Sequence, residues 1–153
     1  MNEATIKVIE EIANDILRLA KLVIDNVGVN AKTGKNTLKE SALKRDLKIE
    51  ANISEPVIIN ALFNNYVSFL EWDRPPNYGK MPPIDSLRDW ALSRGISTDN
   101  STLFAIAKAI QRDGHEGRPI LATLDVEIEK AFDNGLFDKL FEAIIDEITK
   151  FFN

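Results

Sequence analysis

His115 is the single histidine of the chain and stands among acids, in the stretch Asp113-Gly114-His115-Glu116. A histidine flanked by acids is where general-base chemistry would be sought first. A base needs a nucleophile or a metal to act through, and the sequence offers neither. There is no cysteine, which removes thiolate nucleophiles, thiolate metal sites and disulfides together. The glycines Gly28, Gly34, Gly79, Gly95, Gly114, Gly117 and Gly135 never fall into a phosphate-binding spacing, and no serine occupies a nucleophile elbow. Carboxylates are plentiful, but a pair such as Glu127 and Glu129 is two residues apart and points to different sides of a helix. A lone loop histidine without partners is ordinarily surface decoration. The expectation is a chain with no catalytic, metal-binding or cofactor-binding residues, and therefore not an enzyme.

The residues that do stand out belong to binding surfaces. The tract from Trp72 to Pro83, WDRPPNYGKMPP, holds four of the six prolines, Pro75, Pro76, Pro82 and Pro83. Proline fixes φ and has no amide hydrogen, so this is an ordered, non-repetitive loop. Trp72, Arg74, Tyr78, Met81 and Trp90 are of types enriched at interface centres, and a proline-fixed backbone presents them at little ordering cost. Arg74, Tyr78, Lys80 and Met81 are expected to face outward. Trp72 is a candidate interface residue too, although it and Trp90 also fit core positions flanking the loop.

Charge adds a second candidate surface. The net charge is −5, which argues against a dedicated nucleic-acid-binding domain. Residues 31–50 nevertheless carry six basic and three acidic side chains, whereas 121–153 carry three basic and eight acidic ones. Lys32, Lys35, Lys39, Lys44, Arg45 and Lys48 read either as a solvated face or as a patch for an acidic partner. A pairing of Lys39, Lys44 and Lys48 with the acidic terminal helix of a neighbouring copy follows from the opposite signs.

These residues need a scaffold. The chain has 153 residues, 44% hydrophobic and 28% charged, enough for one core and far from the composition of disordered chains. Ile6, Ile9, Ala13, Ile16, Leu17, Ala20, Val23, Ile24 and Val27 recur at steps of three and four, predicting a long amphipathic helix that Gly28 ends in a left-handed turn. Its stripe is broad enough to meet two layers or another copy. Leu47, Ile49 and Ala51 alternate with charged residues and predict a strand, which Val57-Ile58-Ile59 pairs as a second. Leu62, Tyr66, Phe69 and Leu70 return to helical spacing over 61–72. A helix then carries Leu87, Trp90 and Ala91 and closes at Gly95. Another, capped by Asn100 or Ser101, carries Leu103, Phe104, Ala107 and Ile110 to Gly114. Leu121, Leu124, Ile128 and Phe132 form a further stripe to Asn134-Gly135, and Leu136 to Phe152 the last. The class is α+β: a long N-terminal helix, a small antiparallel sheet, a proline-rich loop, then several helices. Residues 1–153 read as one domain, with 121–153 a helical extension. Phe151 and Phe152, at a terminus that would otherwise fray, need packing from the first helix or from another chain. No apolar run approaches the ~18 residues of a membrane span, and the N-terminus carries acids where a signal peptide carries lysines, so a cytoplasmic location is expected.

The segment YVSFLEWDRPPNYGKMPPIDSLRDWALSRGI, followed by LFAIAKAIQRDGHEGRPIL, resembles the neck and tail-completion proteins of tailed bacteriophages, which also occur among minor tail proteins. The shared elements are the aromatic and proline turn Trp72 to Pro76, the PP-I-D-x-L-x-x-W helix Pro82 to Trp90, and the F-x-I-A-K-x-I helix Phe104 to Ile110. The glycine turn into R-P-I-L, Gly117 to Leu121, completes them. Gly95, Arg118 and Pro119 belong to this structural pattern, and Leu38 and Ser41 match its Leu-x-x-Ser before the first strand. The resemblance spans about two thirds of the chain, and the acidic, phenylalanine-rich segment from Asp125 onward goes beyond it. It implies a virion structural protein, assembled in the host cytoplasm as a homo-oligomeric ring of about six or twelve copies between portal or connector and tail tube. An acidic channel lining would let DNA pass without trapping it. The competing expectation is a small intracellular protein-binding or regulatory protein without catalysis.

Overall fold

Why the first helix runs so long is visible in its cap and its stripe. In the computed structural model α1 (Glu3–Val27) opens on Asn2, whose side chain accepts from the Thr5 amide, satisfying one of the unpaired first-turn donors. Ile9, Ile12, Ala13, Ile16, Ala20, Val23 and Ile24 are buried along it. Its end differs from expectation. Gly28 has a right-handed φ of −70°, and a Cβ there would stand 2.3 Å from Asn36 Oδ1 and 2.8 Å from the Ile24 carbonyl. The glycine is needed for close approach and not for a left-handed turn.

The structure describes residues 1–30, 33–39, 41–64, 67–77 and 79–153, with Ala42, Phe69 and Ser93 as backbone alone. Lys32, Tyr66 and Tyr78 lie outside the described residues. After a short α2 (Ala42–Arg45), β1 (Lys48–Asn52) and β2 (Ile58–Leu62) pair antiparallel, with Ile49 opposite Ala61 and Ala51 opposite Ile59. These four residues are half-buried while their neighbours are exposed, so one face lies on α1 and the other is wet. The strand runs further than its β-branched start, and the helix expected over 61–72 shrinks to α3 (Val67–Glu71). Period-two pairing takes Ala61 and Leu62 into the sheet, opposite Ile49 and Lys48, and overrides the helical spacing that begins at Leu62.

The remaining helices are α4 (Ile84–Ser93), α5 (Asn100–Asp113), α6 (Ile120–Asp133) and α7 (Asp138–Phe152), an α+β architecture. One core cluster joins the C-terminal half of α1 to Leu38, Leu43, Leu47, Val67, Ile120 and Leu124. A second joins Leu87 and Ala91 of α4 to Leu103 and Ala107 of α5, and half-buried Trp90 packs against both. The 121–153 segment is therefore not uniform: α6 supplies buried Leu124 to the main core, whereas α7 has no buried residue. No helix among the described residues is long and apolar enough to cross a membrane.

Candidate functional site

The proline tract and the 114–119 turn form one unit. Arg74 and His115 exchange both backbone hydrogen bonds at 2.8 Å, an isolated antiparallel bridge. Gly117 N–H donates to Asp73 Oδ1 at 2.6 Å, Arg118 N–H to the Leu70 carbonyl at 2.6 Å and Asn77 N–H to the Gln111 carbonyl at 2.6 Å. Gln111 Nε2 donates to the Gly79 carbonyl at 2.8 Å. The two glycines of the turn are required by proximity. A Cβ on Gly114 would stand 2.2 Å from the Arg74 carbonyl oxygen, at a φ of +69°, and one on Gly117 would stand 2.6 Å from the Asp73 nitrogen.

Glu71, only 7% exposed, closes this unit. Its carboxylate accepts from the Leu121 amide at 2.7 Å and the Ala122 amide at 2.9 Å. Helix α6 begins on Pro119, which has no side chain that can cap, and its first-turn donors are answered by an acid from α3 placed at the positive end of the helix dipole. Sequence reasoning missed Glu71. A lone acid between Leu70 and Trp72 was the available signal.

The other expected residues are distributed unevenly. Trp72 is 74% exposed, so it is not a core residue, in contrast to Trp90. Pro75, Pro76 and Lys80 are exposed, Pro82 is buried and Pro83 precedes α4 as its N-terminal flank. Arg74 is half-buried, and Met81 packs against the second core cluster instead of facing out, because its thioether fills space beside α4 and α5. Gly95 takes a φ of +67° just past α4. Asp113, the acid placed beside His115 in the sequence, is instead held by Arg112, at 2.8 and 2.9 Å. That hydrogen bond lowers the Asp113 pKa and directs the carboxylate to the arginine. No group of three or more histidines and acids able to hold a metal occurs among the described residues.

Comparison with known proteins finds no matching family model, no similar curated protein and no similar solved structure. The surfaces must therefore be read from their own chemistry, and two of them are unusual.

The first is basic. Lys35, Lys39, Arg45 and Arg94 line a concavity of about 480 Å³ with Asn36, Thr37 and Ser41, and no acid lines it among the described residues. Arg94 donates to the Thr37 carbonyl at 2.7 Å and lies over the Trp90 ring, 5.9 Å from its centroid. Arg118 approaches the same threonine from the other side, donating to its hydroxyl and to the Gly28 carbonyl at 3.4 Å. Burial lowers the Arg118 pKa, as does the neighbouring Arg94. The described basic residues of 31–50 do not form one patch. Lys44 is held by Asp25 at 2.8 and 3.0 Å, and Lys48 is exposed on β1.

The second surface is apolar. Half-buried Leu140 of α7 shares an apolar hollow with Ile9, Ile12 and Ile16 of α1, and a polar latch adds to it: Thr5 Oγ1 donates to Glu147 Oε2 at 2.8 Å, and Asn2 N–H to Glu147 Oε1 at 2.9 Å. The Thr5 hydroxyl, with the nearby N-terminal amine, lowers the Glu147 pKa. Beyond this latch Phe141, Ile144, Ile145 and Ile148 are exposed, and Phe151 and Phe152 reach 83% and 80%. The two terminal rings pack edge to face on each other, centroids 5.2 Å apart. Leu121, Val126 and Phe132 of α6 are exposed as well.

Proposed function

We propose that this chain is a structural subunit of a tailed-bacteriophage virion, assembling as a ring in the neck or tail between portal or connector and tail tube. The observation that carries the reading is the uncovered face of α7. Residues 141, 144, 145, 148 and 152 recur at steps of three and four, so their side chains share one face of the helix, and all are exposed. Monomeric proteins rarely leave contiguous apolar patches beyond a few hundred Å², and identical subunits around an axis are the commonest way to cover one. The proline tract supports the same reading, since its tied backbone holds Trp72 outward at little ordering cost on assembly. The phage assignment itself comes from the sequence resemblance, and catalysis has no part in it.

Light scattering and native mass measurement of the purified full chain test assembly, with a symmetric oligomer of about six or twelve copies expected. Protein identification in purified phage particles tests location. A chain that stays monomeric at all concentrations and is missing from particles would sink the proposal in favour of a small binding or regulatory protein.

A further inference from the structure

Among the described residues, no acid lines the basic concavity. Lys35, Lys39 and Arg45 enter none of the ion pairs of the described residues, which join Glu147, Asp15, Asp25, Asp85, Asp113, Glu127 and Asp146 to other partners. Arg94 is positioned by a carbonyl and a ring, neither of which neutralises it. Four cations around one hollow repel one another, in a protein whose total charge is negative. An anion seated in the hollow would relieve that repulsion.

Helix α6 carries the matching anion. Asp125, Glu129 and Asp133 are exposed and spaced four apart, which aligns them in one row about 12 Å long on the outer face. They too are absent from the ion pairs of the described residues. The row is flanked on one side by Leu121 and Phe132 and on the other by Val126, all exposed. This is the composition of a docking ridge, with charge for register and apolar edges for burial.

We propose that the acidic row of α6 from one copy seats in the Lys35–Lys39–Arg45–Arg94 hollow of the next. The occupant is a second copy of this chain because both halves of the contact, of opposite sign and outside the ion pairs of the described residues, are present on one molecule. Cleft and ridge are different surfaces, so the contact is heterologous, head to tail, and closes into a ring or propagates. It rests on the self-assembly proposed above and adds the pair of surfaces that sets its register. Lys44 and Lys48 are left out of it.

Charge exchange tests the pairing. One full-length variant carries K35E, K39E and R45E, and a second carries D125K, E129K and D133K; Arg94 is kept because it holds Thr37. Circular dichroism and melting should show both folded. Each alone should assemble at least about tenfold more weakly than wild type, since like charges then face each other. An equimolar mixture should recover assembly, as should one chain carrying all six changes, because opposite signs meet again at every contact. If wild type assembles and each variant does so equally well, the pairing is wrong while the ring reading stands. If wild type never assembles, both fall. If the mixture fails to recover, and a short DNA duplex binds wild type but not the first variant, the hollow takes phosphate and the pairing is overturned.

Discussion

The turn unit around Glu71 and the outer face of α7 are opposite solutions to the same problem. In the first, every group discussed above finds its partner inside the chain: amides on carbonyls, a buried carboxylate on two helix-end donors, glycines where backbones touch. In the second, a helix latched to α1 by Glu147 beside half-buried Leu140 leaves Phe141, Phe151 and Phe152 in water. Damage to the first should appear as lost stability of the isolated chain, and damage to the second as lost association. The largest loss is expected for Gly114→Ala. A Cβ at φ +69° is strained by ~1–2 kcal/mol, and here it must also displace the Arg74 backbone, for about 3 kcal/mol or more in thermal or denaturant melts. Glu71→Ala comes next, at about 1–2 kcal/mol, the cost of losing a helix N-terminal cap. Glu71→Gln keeps an acceptor and should lose less. A wild-type melting temperature in both alanine variants would mean that the turn unit is decoration.

The converse experiment is Ile145→Glu with Ile148→Glu. Both side chains are more than half exposed, so the melting midpoint of the unassembled chain should move little, within the ~0.5 kcal/mol typical of surface changes. Assembly read by light scattering should fall sharply. Glu147→Ala separates the latch from the face. It removes the acceptor for Thr5 and Asn2 and should speed limited tryptic cleavage at Lys139, while α6 stays protected. Equal cleavage in variant and wild type would show that α7 is held by something other than this glutamate.

Legibility in the sequence follows the same division. Helical periodicity located α1 and the last helix because a 3.6-residue pattern over many turns has few competitors. The hairpin was found, but its second strand was cut short and the following helix lengthened, since Leu62 fits either period until Ala61 is seen opposite Ile49. The apolar excess of the C-terminus was visible as residue types, and its exposure was not, because exposure depends on which side of α7 faces α1. Glu71 and Arg94 are the hardest cases. One caps a helix 50 residues away, and the other joins a loop 57 residues away. No local spacing encodes either. The block of basic residues in 31–50 is uniform in sequence, and only tertiary structure sends Lys44 to Asp25 and Lys35, Lys39 and Arg45 to the hollow.

The smallest expected effect belongs to a site complete within six residues, Ser97 to Thr102, which makes it a control for both regions. Helix α5 is capped by Asp99, one position before Asn100, the earlier of the two caps suggested by sequence. Its carboxylate accepts from the Thr102 amide at 3.1 Å and the Thr102 hydroxyl at 2.7 Å, and from the Ser97 hydroxyl. These bonds, that from Ser97 foremost, lower its pKa from 3.8 to about 2. A carboxylate more acidic in the folded chain contributes stability that is fully present above the unfolded value and fades as pH falls through the folded one. The group is exposed, so solvent screening keeps the contribution modest. Asparagine at 99 is itself a good cap but does not titrate. Wild type should therefore melt slightly above Asp99→Asn at pH 5, and the gap should close between pH 4 and pH 2, the window set by the two values. Other carboxylates titrate there as well, and subtracting one melting curve from the other cancels them. A gap that stays constant to pH 2 would assign the cap's contribution to hydrogen-bond geometry and leave none to charge.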